Sequence, residues 1–401
     1  GGFFLDRKSA SRRIAALSAQ YGLNIDPDMV IEDISVGMQQ RVEILKMLYR
    51  DANILIFDEP TAVLTPQEIV DLIQIMRNLV KEGKSIILIT HKLAEIKEVA
   101  DRCTIIRRGK LIGVVDVDDT SVATMASMMV GRPVSFKVEK KPAQRGRDIL
   151  EVRDLNVLNN KRLLGVKGFS LTVKAGEIVG IAGVDGNGQS ELIEAITGLR
   201  PIESGSVIVD GNDITHADVR RRNEVGVGHI PEDRQKRGLV MSSSLADNVA
   251  VKEYYRPPFS KRGILDAAYL GDYAQEVIDR FDVRSGEGIY SLAGKLSGGN
   301  QQKLIVGREI SGASELLIAV QPTRGLDVGA IEYIHSQLVA HRDKGYAVLL
   351  VSFELDEIFN LSDRIAVMFG GELVDIVKTE ETNEDEVGLM MAGIARKEGR
   401  R

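Results

Sequence analysis

The chain repeats itself, and the repeat limits the folds that it can adopt. From residue 35 to residue 131 the two copies align without a gap at a spacing of 262 positions. The matched residues are Ser35 with Ser297, Pro60 with Pro322, Asp101 with Asp363 and Gly131 with Gly393. Upstream of this region the spacing becomes 260, because the second copy contains a short insertion. This constant spacing predicts a duplicated domain with the same fold in both copies.

Within each copy, short apolar runs alternate with amphipathic stretches. In the first copy, residues 1–22 and 31–50 have helical patterns, and the apolar run at 52–58 predicts a buried strand that ends in two acids. A helix, a second strand at 85–91 and another helix follow. Strands that alternate with helices predict a mostly parallel α/β sheet covered on both faces.

Length and composition exclude several classes of protein. A chain of 401 residues is long enough for two domains, and a net charge of −6 argues against a nucleic-acid partner. Cys103 is the only cysteine, which excludes an internal disulfide and fits a reducing compartment. The longest apolar runs, such as AVLLV at 347–351, are far shorter than the ~18 residues of a membrane span. We therefore expect any membrane role to depend on a partner.

The second copy has an N-terminal half that the first copy lacks. Residues 148–264 precede Leu265, whereas nothing comparable precedes its counterpart Leu5. We predict an incomplete first domain over residues 1–134, a polar linker over 135–147 and a complete second domain over 148–401. We also expect that the chain is part of a longer protein.

A glycine-rich loop, GVDGNGQS, lies in that additional half between a strand-like run and a helix-like run. This setting gives the G-x-x-x-x-G-K-[ST] pattern its meaning, because backbone N–H groups and a helix N-terminus then face a phosphate. The lysine position holds Gln189 instead. Ser190 is also a candidate Mg²⁺ ligand. The candidate nucleotide-binding residues of the loop are Gly183, Val184, Asp185, Gly186, Asn187, Gly188, Gln189 and Ser190.

A second motif, LSGGNQQK at 296–303, precedes a strand that ends in Pro-Thr. Together with GVDGNGQS it resembles an ABC-type ATPase domain. The stretch LLIAVQPTRGLDVGA at 316–330 and the duplication resemble the fused ATP-binding subunits of bacterial simple-sugar and nucleoside importers. AVQPTRGLD and VSFELDEI match the nucleoside-uptake branch better. The resemblance implies a P-loop NTPase fold of the ABC type with a helical subdomain, in two tandem copies of which the first is incomplete.

The resemblance also implies nucleotide-binding residues outside the glycine loop. In this family each ATP lies between the phosphate loop of one domain and the signature loop of the other. Glu232 occupies the Q-loop position, where the family has glutamine. In the first copy, Val36 stands where the second copy has a signature glycine. The implied signature residues are Ser297, Gly298, Gly299 and Asn300 in the second copy, and Ser35 and Gly37 in the first.

Two carboxylates and a histidine are the candidate catalytic groups of the first copy. By resemblance, Asp58 would hold Mg²⁺, Glu59 would position or deprotonate the attacking water, and His91 would contact the γ-phosphate. The same positions of the second copy hold Val320, Gln321 and Phe353. None of these can bind Mg²⁺, accept a proton or sense phosphate in the required way.

The departures from the family pattern all fall in one of the two implied sites. One composite site would combine a first phosphate loop and the catalytic groups of the first copy with the signature at 297–299 and the turn at 325–327. The other would combine the loop at 183–190 with the altered positions of the second copy and the signature at 35–37. We therefore predict one hydrolytic site and one that only binds nucleotide.

The function that the resemblance implies is that of an ATPase subunit of a nucleoside or simple-sugar importer, with ATP and Mg²⁺ as cofactors. It would dock on two integral-membrane permease subunits at the cytoplasmic face of the cell membrane. An extracytoplasmic solute-binding protein would act indirectly, and self-association through the nucleotide-binding domains is possible. One alternative is a soluble twin-domain ATPase acting on ribosomes or DNA, which the acidic balance disfavours. The other is a non-hydrolytic binding module, which is what we expect of these 401 residues alone.

Overall fold

The computed structural model describes residues 6–31, 34, 36–50, 52–61, 66–107, 109–133, 138–312 and 314–394. The chain divides into two compact units. Unit 1 extends from Gly1 to Val134 and unit 2 from Ser135 to Arg401. Each unit has a hydrophobic core of its own.

Unit 1 consists of helices packed against one face of a short parallel sheet. Its described helices are α1 (Arg7–Gln20), α2 (Val36–Tyr49), α3 (Pro66–Lys81), α4 (Leu93–Val99) and α5 (Val122–Val130). Its described strands are β1 (Ile54–Asp58), β2 (Ser85–Ile89), β3 (Arg102–Arg107) and β4 (Lys110–Asp116). β1 and β2 pair in parallel, and β3 and β4 form an antiparallel hairpin.

In the described residues of unit 1, the parallel sheet is covered on one face only. Leu55 and Phe57 of β1 lie in the core with α2 and α3, whereas Ile54 and Ile56 are 63% and 58% exposed. The prediction that the strand at 52–58 is buried is therefore wrong for alternate residues. In unit 2 the corresponding residues are buried beneath an antiparallel sheet, and the described part of unit 1 contains no such sheet.

Unit 2 contains more elements. Its described helices are α6 (Gln189–Thr197), α7 (Val219–Glu224), α8 (Leu245–Ala250), α9 (Ala267–Arg280), α10 (Gly298–Ser311), α11 (Val328–Asp343), α12 (Leu355–Leu361) and α13 (Glu384–Met391), with a π-helical turn at Arg234–Gly238. Its described strands are β5 (Asp148–Leu158), β6 (Leu164–Lys174), β7 (Ile178–Ala182), β8 (Ser204–Val209), β9 (Asn212–Asp213), β10 (Val227–Ile230), β11 (Ser260–Lys261), β12 (Ile264–Leu265), β13 (Leu316–Val320), β14 (Ala347–Val351), β15 (Arg364–Phe369) and β16 (Glu372–Lys378).

The duplication is visible in the element boundaries. β1, α3, β2, α4, β3 and β4 each begin and end 262 positions before β13, α11, β14, α12, β15 and β16. α1 precedes α9 by 260 positions, and both helices have an aspartate cap, Asp6 and Asp266. The prediction of two copies of one α/β fold is therefore confirmed.

The central sheet of unit 2 has the strand order β10-β13-β14-β7-β15-β16 in the described residues. Its pairings are parallel except for the last, between β15 and β16. Alternate residues of β7 face opposite sides, as the side-chain period of a strand requires. Ile178 lies in the core with α8–α13, whereas Val179 lies in the core with α6 and an antiparallel sheet. The predicted parallel sheet covered on both faces is confirmed for unit 2.

The antiparallel sheet, of order β6-β5-β8-β9, was not part of the sequence-based prediction. Residues 135–147, the predicted linker, fall within unit 2, and those at 138–147 contain no helix or strand. Two contacts connect them to the rest of unit 2. Arg145 pairs with the fully buried Glu177 at 2.9 Å, and Lys140 donates to the carbonyl of Leu361 at 3.0 Å.

Buried ionisable groups predict the acid sensitivity of unit 2. Burial lowers the pKa values of His229 and His341 from 6.5 to about 4. Burial raises the pKa of Glu309, but Lys252 and Arg308 lower it more, so that it lies at about 2. As the pH falls through 6.5, the unfolded chain binds protons that the folded histidines do not bind. Stability should therefore fall between pH 6.5 and 4, and Glu309 should add a further loss between pH 4.5 and 2.

Calorimetry from pH 7 to pH 4 checks this prediction through the thermal midpoint of unit 2. His341 stacks on Tyr346 with 4.6 Å between the ring centroids, so His341→Phe should keep the stacking and remove one titrating group. We expect a shallower fall of the midpoint with pH in this variant. An unchanged slope would contradict the assignment.

Candidate functional site

The glycine loop of unit 2 links the buried strand β7 to helix α6. Gly188 is the N-cap of α6, and its φ of 101° lies in the region that side chains disfavour. A Cβ there would approach the carbonyl oxygen of Gly165 to 2.2 Å. Within the described residues no side chain caps α6, which leaves the first N–H groups of the helix available for an anion.

Gln189, at the lysine position of the loop, points back into the loop. Its amide donates to the carbonyl of Val184 at 3.1 Å, and the residue is only 3% exposed. A Cβ on Gly183 would lie 2.2 Å from Nε2 of Gln189. The amide therefore fills the inside of the loop and supplies no charge to a phosphate.

The other loop residues differ in their surroundings. Val184, Asp185 and Ser190 are exposed, so the Ser190 hydroxyl is accessible to a ligand. Asn187 instead accepts a hydrogen bond from the N–H of Gly370 at 2.8 Å. This bond ties the loop to the turn between β15 and β16, which indicates a structural role for the Asn187 side chain.

In unit 1 the structure brings together the predicted catalytic residues. Asp58 is the last residue of β1, Glu59 follows it, and His91 follows β2, which pairs with β1 in parallel. The Nδ1 atom of His91 lies 2.9 Å from Oε1 of Glu59. The other oxygen of Glu59 is buried and has no hydrogen-bond partner in the described residues.

The backbone at Glu59 is strained in the same way in both units. Glu59 has a φ of 46°, and its counterpart Gln321 has a φ of 48°. The N–H of Glu59 donates to Ile89 and that of Gln321 to Val351, each at 2.8 Å. Left-handed backbone at a residue other than glycine is costly and is often found at functional sites. Unit 2 therefore has the same backbone geometry at this position, with an amide in place of the carboxylate.

Asp58 has the properties of a Mg²⁺ ligand. Its carboxylate is exposed at the end of a strand, and Mg²⁺ prefers one or two carboxylates together with phosphates and water. In the described residues, no three His, Cys, Asp or Glu side chains form a metal cluster. A single carboxylate at a strand end fits an ion whose other ligands are phosphates and water. In unit 2 the same position is Val320, which cannot bind an ion.

The signature loop of unit 2 opens helix α10. Ser297 is the N-cap residue and is exposed. The Nδ2 atom of Asn300 donates to its hydroxyl at 3.0 Å, while Oδ1 of Asn300 accepts from the N–H of Arg284 at 2.9 Å. Asn300 therefore orients the serine. In unit 1, Ser35 lies outside the described residues, and Gly37 lies in the first turn of α2.

Glu232 was predicted to bind nucleotide, and the structure pairs its carboxylate with Arg324. Arg234, two residues further on, donates to the carbonyl of Arg324 at 2.8 Å. The sequence-based prediction did not include either arginine. One signal was available, because Arg324 stands 262 positions after Ala62 and thus distinguishes the second copy from the first.

These features are those of an α/β ATP-binding cassette, with a strand, a glycine loop and a helix in unit 2 and a carboxylate–histidine pair in unit 1. The family described as "ABC transporter" matches residues 5–62 and 166–324. The chain belongs to the ABC transporter family.

Three relatives align with almost the whole chain. The nucleoside import ATP-binding protein NupA of Lactococcus lactis is 57% identical over 392 residues, which are 98% of this chain and 77% of that protein. The guanosine import ATP-binding protein NupO of Bacillus subtilis is 56% identical, with the same coverage. The glucose import ATP-binding protein TsgD13 of Haloferax volcanii is 45% identical and covers 98% of this chain and 72% of that protein.

Solved structures agree on the fold. A nucleotide-free ATP-binding cassette from an ABC transporter is 22% identical with a TM-score of 0.51, covering 59% of this chain and 93% of that one. Another ATP-binding cassette is 21% identical with a TM-score of 0.53, covering 62% of this chain and 99% of that one.

In the residues that the structure describes, no helix is long and apolar enough to span a bilayer.

Proposed function

We propose that the chain supplies an ATP-binding loop and the hydrolytic residues of the ATPase subunit of a nucleoside importer. The observation that carries the proposal is the contact of 2.9 Å between Glu59 and His91 beside Asp58. A carboxylate, a histidine and a metal-binding acid at adjacent strand ends form a set suited to hydrolysis of a phosphoanhydride. The nucleoside class rests on the names of the two relatives at 56–57% identity.

The residues of unit 1 have separate roles in the proposed reaction. Glu59 holds the attacking water and accepts its proton at the carboxylate oxygen that has no partner in the described residues. His91 orients Glu59 through its Nδ1 atom and contacts the γ-phosphate. Asp58 would hold Mg²⁺, which neutralises charge on the phosphates when bound. Residues 1–134 contain no G-x-x-x-x-G pattern, so this site needs a phosphate loop from outside them.

Unit 2 would bind nucleotide without hydrolysing it rapidly. Its loop offers N–H groups and the Ser190 hydroxyl, but Gln189 carries no charge. A lysine charge about 4 Å from a phosphate is worth roughly 4 kcal/mol at an effective dielectric constant near 20. Val320, Gln321 and Phe353 supply no metal ligand, no base and no phosphate sensor. The signature residues Ser297–Gly299 would instead bind the γ-phosphate of the ATP that is hydrolysed.

The partners follow from the same proposal. The ATPase would act at the cytoplasmic face of the membrane on two permease subunits, which would carry the solute. A solute-binding protein on the other side would deliver the nucleoside. Solute specificity would then lie in these partners, so the chain itself should not distinguish one nucleoside from another.

The test reconstitutes the permease in lipid vesicles with an ATPase subunit that carries this chain and the phosphate loop that unit 1 needs; this complex is the assembled transporter. We expect Mg²⁺-dependent ATPase activity that rises severalfold when the solute-binding protein and guanosine are added, and that EDTA abolishes. Ribose and glucose serve as matched control solutes and should not stimulate it. Stimulation by sugars alone would contradict the nucleoside class. Co-purification of the chain with ribosomes instead of membrane proteins would support the soluble alternative.

A further inference from the structure

Two arginines link neighbouring segments of unit 2, namely the segment at 231–234 and the turn at 321–327. The side chain of Arg324, in the turn that follows β13, forms an ion pair with Glu232. In the opposite direction, the side chain of Arg234 donates to the backbone carbonyl of Arg324 at 2.8 Å. The turn at 321–327 is thus joined to the segment at 231–234 twice, once through a side chain and once through its backbone.

Arg234 also lies against the signature loop. A Cβ built on Gly298 would lie 2.8 Å from Nη2 of Arg234, and one on Gly325 would lie 3.8 Å from the same atom. The guanidinium therefore touches the first residue of α10 and the turn after β13 at once. Its Nε atom is buried and has no hydrogen-bond partner among the described residues. A planar, rigid cation is well suited to fixing such a junction.

The segment that carries both charges is itself anchored. The carboxylate of Asp233 accepts from the N–H groups of Gln235 and Lys236, each at 3.0 Å, and so begins the π-helical turn. Arg237 in that turn pairs with Glu194 of α6 at 2.7 Å. These contacts connect the segment beside the signature loop to α6, the helix that follows the glycine loop.

The ion pair with Arg324 gives the carboxylate of Glu232 a structural role. A glutamine could not form an ion pair with Arg324, and the first copy has Ala62 at the position of Arg324. Arg324, the partner of Glu232, is thus a position at which the second copy differs from the first. A carboxylate engaged in an ion pair is also a poor choice for contacting an anionic phosphate.

We propose that Glu232, Arg324 and Arg234 form a latch that fixes the turn at 321–327 and the signature loop at 297–299 in one arrangement. The three are positioning residues, because they act through the signature loop and the turn. The link to hydrolysis rests on the proposed function, in which Ser297–Gly299 bind the ATP that is hydrolysed. A preformed signature loop lowers the cost of ordering it when ATP binds.

The test compares charge variants in the assembled transporter. Glu232→Gln and Arg324→Gln each break the ion pair, and Glu232→Arg with Arg324→Glu restores it with the charges exchanged. Lys236→Gln is the matched control, because it removes a charge from the same turn. Lys236 is 85% exposed, and its ion pair with Asp233 at 3.8 Å includes none of the three latch residues. The measurements are the kcat and KM of ATP hydrolysis and the amide hydrogen exchange of residues 321–327.

Each single latch variant is expected to speed exchange at 321–327 and to lower kcat/KM by about three- to tenfold, as befits a half-exposed ion pair that positions a binding loop. The variant with exchanged charges should restore most of the slow exchange at 321–327 and most of kcat/KM. Lys236→Gln should change neither quantity. Unchanged exchange in the single variants would overturn the latch. Faster exchange with an unchanged kcat/KM, or an equal loss in Lys236→Gln, would overturn the positioning role. If the unaltered transporter lacks ATPase activity, the proposed function fails, and the exchange data still decide whether the latch exists.

Discussion

Glu59→Gln is expected to lower the kcat of ATP hydrolysis in the assembled transporter by at least about a hundredfold, because it removes the general base. The glutamine is nearly isosteric, so the hydrogen bond with His91 and the left-handed backbone should be kept. ATP binding should persist, since the groups that would hold the phosphates are unchanged. Steady-state hydrolysis and equilibrium nucleotide binding, measured on the same preparation, check both parts.

Gln321→Asn is the matched control at the same place in unit 2. Asparagine tolerates the φ of 48° better than most residues do, so the variant avoids a change of backbone. Because Gln321 supplies no base, we expect kcat to change by less than about twofold, which is small on the scale of transition-state effects. A loss comparable to that in Glu59→Gln would mean that the side chain at position 321 of unit 2 also contributes to hydrolysis.

Gly188→Ala should have the largest effect on unit 2. The new Cβ would meet the carbonyl oxygen of Gly165 at 2.2 Å, and the φ of 101° is unfavourable for alanine. Neither partner of the clash is the end of a flexible side chain, so the loop itself must move. We expect a loss of several kcal/mol in the stability of the loop region and loss of nucleotide binding at 183–190.

Nucleotide counting and thermal unfolding check this prediction. In the Glu59→Gln background of the assembled transporter, which supplies the phosphate loop for unit 1, Gly188→Ala should remove the nucleotide bound at 183–190 and leave the one bound at the unit 1 site. Gly211→Ala provides the control, since Gly211 also has a positive φ of 75° but a Cβ there meets nothing within 4 Å. Two nucleotides bound after Gly188→Ala would show that the loop is not a binding site.

Local sequence patterns predicted many of the element boundaries and part of the candidate site. The spacing of 262 positions predicted elements whose boundaries coincide in both units, because duplicated residues have the same local preferences. The sequence also placed Asp58, Glu59 and His91 at strand ends, and parallel pairing of β1 and β2 then brings them together. Equivalent strand ends of a parallel sheet lie at one edge, so this part of the site needed no knowledge of distant contacts.

The remaining features depend on contacts between distant residues. Ile54 and Ile56 are exposed because no antiparallel sheet covers that face among the described residues of unit 1. The inward turn of Gln189 depends on the shape of the loop around it. The pairing of Glu232 with Arg324 joins residues 92 positions apart, and an isolated glutamate at a glutamine position gives no indication of its partner. The pairing of the unit 1 residues with the signature at 297–299 stays a prediction.

The central claim is that the protein has one hydrolytic site and one site that only binds. The most direct test is a single-turnover experiment in which the assembled transporter is loaded with ATP and Mg²⁺, separated from free nucleotide and quenched with acid after one turnover. The account predicts ADP and ATP in equal amounts on the protein, because the nucleotide at Gly183–Ser190 remains intact. Complete conversion of the bound nucleotide to ADP at a single rate would contradict it.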